Sequence, residues 1–143
     1  MLIAKIILFI SGAVWLGYGG WLFVDPKGLA YMGFGLDNWS AIVEVQAMYG
    51  AVEFMLGVFA MMGIINPKRY MHSALVVWTF IFAGLVVGRI VGIAQWGGDW
   101  WLTFGAEGLP AGYNPGALWF YEVPSLILCL IALKQTHKLP ELN

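Results

Sequence analysis

Charged residues are scarce in this sequence. Asp, Glu, Lys and Arg make up 10% of the 143 residues, and hydrophobic residues make up 61%. A soluble domain is typically about 45–50% apolar and about 25% charged. The net charge of −1 also provides no basic surface of the kind that binds nucleic acid. The composition therefore predicts an integral membrane protein.

Cysteine is almost absent, since the chain has only Cys129. A lone thiol excludes an intramolecular disulfide, a Cys-x-x-Cys redox pair and a zinc site built from several cysteines. The sequence also has no nucleotide-binding glycine loop, hydrolytic triad or zinc signature. We therefore expect no metal and no evident cofactor, and we favour a protein that is not an enzyme.

Four apolar segments are long enough to cross a bilayer, which takes about 20 residues in a helix. Asp25-Pro26 and Asn66-Pro67 end the first two segments, because proline cannot continue the helical hydrogen-bond ladder. We expect a single all-α membrane domain over residues 1–143, a four-helix bundle with short interfacial segments in the loops at 25–39 and 95–115. The predicted spans cover residues 6–24, 40–65, 72–94 and 116–134.

The distribution of Lys and Arg predicts the orientation of these spans. The side that holds both termini and the loop between the second and third spans has five basic residues, and the opposite side has one. Cytoplasmic loops carry the excess of Lys and Arg, so we expect both termini in the cytoplasm and a bacterial inner-membrane location. The five residues are Lys5, Lys68, Arg69, Lys134 and Lys138, and the single one is Lys27.

Tryptophans concentrate at the predicted outer end of the spans. One interpretation is an interfacial aromatic belt with loops lying along the lipid headgroups. The other is an outer aromatic face that receives a partner subunit, a pigment or a lipid. The residues of this face are Trp39, Trp96, Trp100, Trp101 and Trp119, with Trp21 nearby.

The third span carries Gly84, Gly88 and Gly92 at intervals of four. Small residues let helix backbones approach closely in lipid. We predict that this glycine ridge packs against another helix, most simply within the bundle. The alternative is contact with a second copy of the chain or with a larger membrane protein complex.

Three glutamates and one arginine lie inside the predicted spans, away from their cytoplasmic ends. At 1.5 Å per residue, Glu44, Arg89 and Glu122 lie about 6 to 9 Å below the outer end, and Glu53 lies about 20 Å below it. Charges inside a membrane usually face the bundle interior and pair with one another. We therefore expect Arg89 to pair with Glu122 or Glu44, which leaves at least one surplus carboxyl group.

Helical spacing of 100° per residue places Gln46 and Tyr49 on the face of Glu53, with Glu44 on the opposite face. The first face should point into the bundle. The whole group is either a structural ion pair that holds the helices in register or a site for a ligand, a proton or an ion.

The segments Glu44–Gly50 and Gly84–Arg89, with Gly57 between them, resemble a family of small bacterial four-span membrane proteins described only as a domain of unknown function. The resemblance extends from the first span to Glu122. In size and helix count the chain is also loosely similar to DoxX-like proteins. The resemblance implies four helices and a role for Glu44, Arg89 and Glu122, but no activity.

Three functions fit these patterns. The first is an accessory or scaffold subunit that acts through helix packing and its outer aromatic face, embedded among membrane lipids and forming a homo-oligomer or part of a larger complex. The alternative is a binder or an isomerase-like proton-transfer enzyme for a lipid-soluble molecule, with Arg89 orienting its headgroup and Glu122 or Glu53 exchanging a proton. The third is movement of a proton or cation.

Overall fold

The computed structural model describes residues 1–32, 35–96 and 116–136. It confirms an all-α fold with four helices that are long and apolar enough to cross a membrane. A short 3-10 helix, Pro26–Met32, follows the first of them. The four helices are α1 Leu2–Val24, α2 Trp39–Ile65, α3 Pro67–Gln95 and α4 Leu118–Thr136. The interfacial segment predicted in the loop at 95–115 lies outside the described residues.

The helix boundaries have clear local causes. The Asn38 side chain accepts a hydrogen bond of 2.8 Å from the backbone N–H of Ala41, which caps the start of α2. Helix α2 ends at Asn66, and Pro67 occupies the first turn of α3, where a missing N–H is tolerated. Met1 and Gln135 are joined by a hydrogen bond of 3.4 Å. The chain start, the α2–α3 hinge and the end of α4 therefore lie at one end of the bundle. We call this end the hinge end and the opposite end the far end.

Helices α1 and α2 form the closest contact in the bundle. A Cβ atom added to Gly19 would lie 2.4 Å from the backbone nitrogen of Phe54, and one added to Gly50 would lie 2.7 Å from the Cα of Phe23. A Cβ atom on Gly57 would similarly lie 2.8 Å from the backbone nitrogen of Leu16. The two backbones therefore touch along much of their length, as small residues permit in membrane helices.

All four helices contribute to a buried core in the hinge half of the bundle. Trp78 and Phe82 are its largest fully buried side chains. The core also contains buried aliphatic and small residues, namely Ala4, Ile7, Leu8, Ala60, Met71, Ala74, Leu75, Cys129 and Ala132. A second, smaller cluster of Leu22, Leu29 and Val45 joins α1, the 3-10 helix and α2 near the far end. On α3 the fully buried members of the main core end at Phe82, and partly buried Leu85 packs against them.

Helix α3 contacts α2 near the hinge, where a Cβ atom on Gly63 would lie 3.0 Å from the Cβ of Ala74. Gly92 and Gly88 stand about five and four turns beyond Ala74, on nearly the same side of α3. Nevertheless, no atom of the described residues lies within 4 Å of a Cβ built on Gly84, Gly88 or Gly92. The two helices therefore separate toward the far end.

This arrangement differs from the packing predicted for the glycine ridge. The described residues form no close contact on Gly84, Gly88 or Gly92, whereas the close contacts within the bundle use glycines of α1 and α2. The difference arises because α3 packs along its length on α4, on a different side from the ridge. Packing against a helix from another molecule stays a prediction for this ridge.

Candidate functional site

Arg89 of α3 and Glu122 of α4 form an ion pair in the far half of the bundle. The guanidinium Nε donates to both carboxylate oxygens, at 2.6 Å to Oε1 and 2.7 Å to Oε2. The side chain of Glu122 is only 3% exposed, whereas that of Arg89 is 32% exposed. The carboxylate is therefore inside the protein, and part of the guanidinium side chain reaches its surface.

The helical pattern explains why these two charges point inward. Arg89 follows Met71, Trp78 and Phe82 by 18, 11 and 7 residues, which places it on the same face of α3, and those three side chains are 0% exposed. Glu122 heads the buried stripe of α4 formed by Ser125, Cys129, Ala132 and Thr136. Both charged residues thus lie on helix faces whose other members are apolar or weakly polar. Because those faces are buried, each charge requires the other as a counterion.

Helix α1 supplies a residue to this region that the sequence pattern did not single out. Tyr18 lies within electrostatic range of Glu53 and Tyr49 of α2 and of Arg89 of α3. These side chains therefore lie in one region around Tyr18 of α1, to which α2 and α3 both contribute. Glu53 and Tyr18 are half-buried, and Tyr49 is 38% exposed. We call this space the α2–α3 cleft. Its polar part consists of the four side chains named here, and Gly88 and Gly92 of the ridge lie on the side of α3 that turns Ala74 toward α2 near the hinge.

Glu53 differs from Glu122 in its surroundings. Within the part of the chain that the structure describes, no hydrogen bond or ion pair holds the Glu53 carboxyl group. It lies within electrostatic range of Tyr18. The cleft therefore contains one balanced ion pair and one additional acidic group.

Two irregular helical segments carry residues of this region. Gln46–Val52 and Leu118–Glu122 both have π-helical hydrogen bonding, in which each turn holds an extra residue. Such turns are rare in proteins overall, and those that occur are often found at functional sites. The first segment contains Tyr49 and the second ends on Glu122, so both helices are locally distorted where they supply polar side chains.

The remaining predicted polar residues lie apart from the ion pair. The Gln46 side chain donates a hydrogen bond of 2.8 Å to the backbone carbonyl of Phe23 and so joins α2 to α1. Glu44 is exposed and does not contact Arg89. Its separation from the site follows from its place on the opposite face of α2.

The predicted outer aromatic face is described only in part. Trp39 is 82% exposed and Trp119 is 38% exposed, both at the far end. Trp100 and Trp101 lie outside the described residues, as does the side chain of Trp96. Both the interfacial belt and a role in binding stay predictions for these tryptophans.

The described residues show an open apolar depression outside this region and no grouped metal ligands. Among the described residues, no group of three or more His, Cys, Asp or Glu side chains could hold a metal ion. An open apolar depression of about 310 Å³ lies on α2 and is lined by Ala51, Val52, Met55 and Leu56. It contains none of the charged residues, so we assign the candidate site to the α2–α3 cleft on the basis of its polar groups.

Comparison with known proteins gives a family but no relative of known activity. No curated protein and no solved structure matches the chain. A family match covers residues 3–109, which include Arg89 and Glu53 but end before Glu122. The match spans most of the chain and confirms the resemblance carried by its second and third spans. The protein belongs to the family described as a domain of unknown function (DUF4345).

Proposed function

We propose that the protein binds a neutral, lipid-soluble molecule in the α2–α3 cleft through a hydroxyl or carbonyl group. The observation that supports this proposal is the partly exposed Arg89, held by a buried Glu122, on a cleft that also contains Glu53 and Tyr18. Ionisable groups within membrane helices are energetically costly and commonly mark ligand or ion pathways. A single structural ion pair would not require the additional acidic group or the two phenols.

The charge of the cleft determines the class of ligand. Arg89 contributes one positive charge, which Glu122 balances at 2.6 Å. Glu53 adds either no charge or one negative charge, according to whether it holds a proton. The total is therefore zero or negative, and a carboxylate or phosphate ligand would gain no compensation for its loss of water. A neutral headgroup carries no such penalty.

The side chains of the cleft can satisfy such a headgroup. A ligand hydroxyl can donate to the Glu53 carboxyl group and accept from the phenol of Tyr18 or Tyr49. The glycine ridge of α3 leaves space beside these groups for an apolar ring or chain. Proton exchange between Glu53 and the bound group is the reaction that these residues support, as general acid–base chemistry requires a carboxyl group within hydrogen-bond reach of its substrate.

The location of the protein is part of this proposal. Four apolar helices are compatible with an integral membrane protein, and the basic residues gather at the hinge end. We place the hinge end in the cytoplasm of a bacterial cell and the far end toward the outer leaflet of the inner membrane. A ligand would then enter the cleft from that leaflet.

The proposal is tested with two photoreactive probes, a long-chain isoprenoid alcohol and the corresponding carboxylic acid, added to the purified protein in nanodiscs. We expect the alcohol to label the wild-type protein and to map to α2 and α3, and the acid to label it weakly. Gly88→Leu should abolish labelling by filling the cleft. Gly17→Leu is the matched control, because Gly17 is exposed and open like Gly88 but belongs to α1 and not to the glycine ridge.

Equal labelling of Gly88→Leu and the wild type would refute binding in the cleft, and preferential labelling by the acid would refute the neutral class of ligand. The protection of the buried Cys129 from a thiol reagent shows whether each variant remains folded. Loss of labelling in a variant whose Cys129 stays protected then reports on the cleft itself.

A second candidate function is that of an accessory subunit, and the open glycine ridge is the specific observation that favours it. The same surface that lacks a partner among the described residues could receive a helix of another protein or of a second copy. Native mass spectrometry of the protein extracted gently from its own membranes separates the two functions. A stoichiometric complex that Gly88→Leu dissociates supports the subunit, and a monomer that carries a lipid-soluble molecule supports the binder.

A further inference from the structure

A group of polar atoms lies in the main core, away from the α2–α3 cleft. Ser11 Oγ of α1, Trp78 Nε1 of α3 and the Tyr121 hydroxyl of α4 are all buried, and none has a hydrogen-bond partner within the described part of the chain. Ser11 and Trp78 are 0% exposed. Three helices thus each present one unsatisfied polar atom to the bundle interior.

Contacts among the surrounding side chains place these atoms in one cluster. Trp15 packs edge-to-face on Trp78 with ring centroids 4.8 Å apart, and Trp78 lies 5.4 Å from Phe82. Phe82 in turn packs edge-to-face on Tyr121 at 5.4 Å. The Tyr121 hydroxyl adjoins the side chains of Ser11 and Trp15. The four aromatic side chains therefore form a closed ring of contacts, and Ser11 adjoins it at Tyr121.

The protein groups do not satisfy one another directly. Although Ser11 and Tyr121 are neighbours, no hydrogen bond of acceptable geometry joins their hydroxyls. The indole N–H of Trp78 can only donate and therefore needs an acceptor. Buried polar groups in proteins are nearly always hydrogen-bonded, either to protein or to an internal water.

We infer that Ser11, Trp78 and Tyr121 bind a water molecule inside the bundle. Its oxygen accepts from the indole N–H of Trp78, and its two hydrogens are available to the hydroxyl oxygens of Ser11 and Tyr121. Internal waters typically make about three such bonds. An ion is a poorer occupant, because the cluster presents no charged group, and an apolar molecule would leave all three atoms unsatisfied.

The inference is independent of the ligand proposed for the α2–α3 cleft, since it uses different residues in a different part of the bundle. It also assigns a role to polar residues that the sequence pattern left unexplained. The three polar atoms of this cluster form no direct hydrogen bond with one another. A shared water would therefore connect α1, α3 and α4 in the hinge half.

The test is a water–protein cross-relaxation measurement by NMR on protein labelled with ¹⁵N-tryptophan in detergent micelles. Trp78→Phe identifies the indole resonance. We expect a rotating-frame cross-peak between the Trp78 indole proton and water in the wild type. Ser11→Ala and Tyr121→Phe should each abolish or strongly weaken it. Tyr18→Phe removes a phenol outside the cluster and should leave it unchanged.

The absence of this cross-peak in the wild type would overturn the inference, provided that exposed Trp39 shows its own contact with water. A cross-peak that persists in both Ser11→Ala and Tyr121→Phe would also overturn it, because the water would then not depend on those hydroxyls. If Tyr121→Phe does not fold, Ser11→Ala alone decides the result, since it removes only one atom from the cluster.

Discussion

The α1–α2 contact can be tested with two glycines that stand two positions apart in the same helix. A Cβ atom on Gly19 would meet backbone atoms of Phe54, Gly50 and Glu53 at 2.4, 2.9 and 3.0 Å. A Cβ atom on Gly17 would meet nothing within 4 Å among the described residues. We predict that Gly19→Ala destabilises the protein and that Gly17→Ala does not.

The expected magnitude follows from the contact distances. Ordinary van der Waals contact begins at 3.4 Å, so a contact of 2.4 Å at Gly19 requires α1 and α2 to move apart by about 1 Å. A displacement of this size weakens the neighbouring contacts at Gly50 as well. Overpacking of a tight interior costs about 1–3 kcal/mol, and we expect about 2 kcal/mol. Gly17→Ala should gain roughly 0.5–1 kcal/mol, because alanine loses less backbone entropy in a helix.

The lone cysteine provides the assay. Cys129 is 0% exposed, so a water-soluble maleimide should reach it only after the bundle opens. Thermal pulses followed by labelling and intact mass spectrometry give an unfolding midpoint without a label elsewhere. For a chain of this size, each kcal/mol of lost stability lowers the midpoint by about 2–4 °C. We therefore expect the midpoint of Gly19→Ala to fall by roughly 4–8 °C.

Two results would refute this reasoning. A midpoint for Gly19→Ala equal to that of Gly17→Ala would mean that the backbones of α1 and α2 do not approach as the structure shows. Rapid labelling of Cys129 in the unheated wild type would mean that the main core is not closed around α4.

Further substitutions test other contacts with the same assay. Arg89→Met leaves the Glu122 carboxylate buried without its counterion and should cost about 3 kcal/mol, the low end of the range for a broken buried pair, because the Arg89 side chain is 32% exposed. Arg89→Met combined with Glu122→Leu should recover most of this loss, and a double variant no more stable than the single one would contradict a direct ion pair. Asn38→Ala removes the helix cap and should cost about 1 kcal/mol. Gly88→Ala should gain roughly 0.5–1 kcal/mol, as Gly17→Ala does, because no neighbour among the described residues meets the added Cβ atom, and a loss of stability would show that the ridge is covered.

Sequence reasoning predicted the all-α fold because hydropathy and proline placement are local signals. The segment length needed to cross a bilayer leaves few alternatives for a chain so poor in charge. The pairing of Arg89 with Glu122 was one of two options that depth alone allowed. Depth does not separate Glu122 from Glu44, since both lie near one level. The structure separates them by helix face, with Glu122 in the buried stripe of α4 and Glu44 exposed.

Sequence reasoning did not predict which glycines are in close contact. The ridge of Gly84, Gly88 and Gly92 has the most regular spacing, yet the contacts between backbones use Gly19 and Gly50. Regular spacing shows that a helix can be approached closely on one face, but not which neighbour lies there. Tyr18 was also missed, because a tyrosine in an apolar helix has no sequence signal until its neighbours on other helices are known.

The ion pair also affects the order in which the membrane domain can be assembled. Arg89 precedes Glu122 by 33 residues, so α3 reaches the bilayer ahead of the helix that carries its counterion. An arginine in a membrane helix costs about 2.5–3.5 kcal/mol at the bilayer centre, and α3 offsets this with a mean hydropathy of 2.2, compared with 1.8, 1.8 and 1.3 for α1, α2 and α4. Helix α4 is less apolar and carries the carboxylate. Its arrival neutralises a helix that is already in place, so removing α4 should leave the insertion of α3 and the glycine contact between α1 and α2 intact, and should leave Arg89 without its counterion.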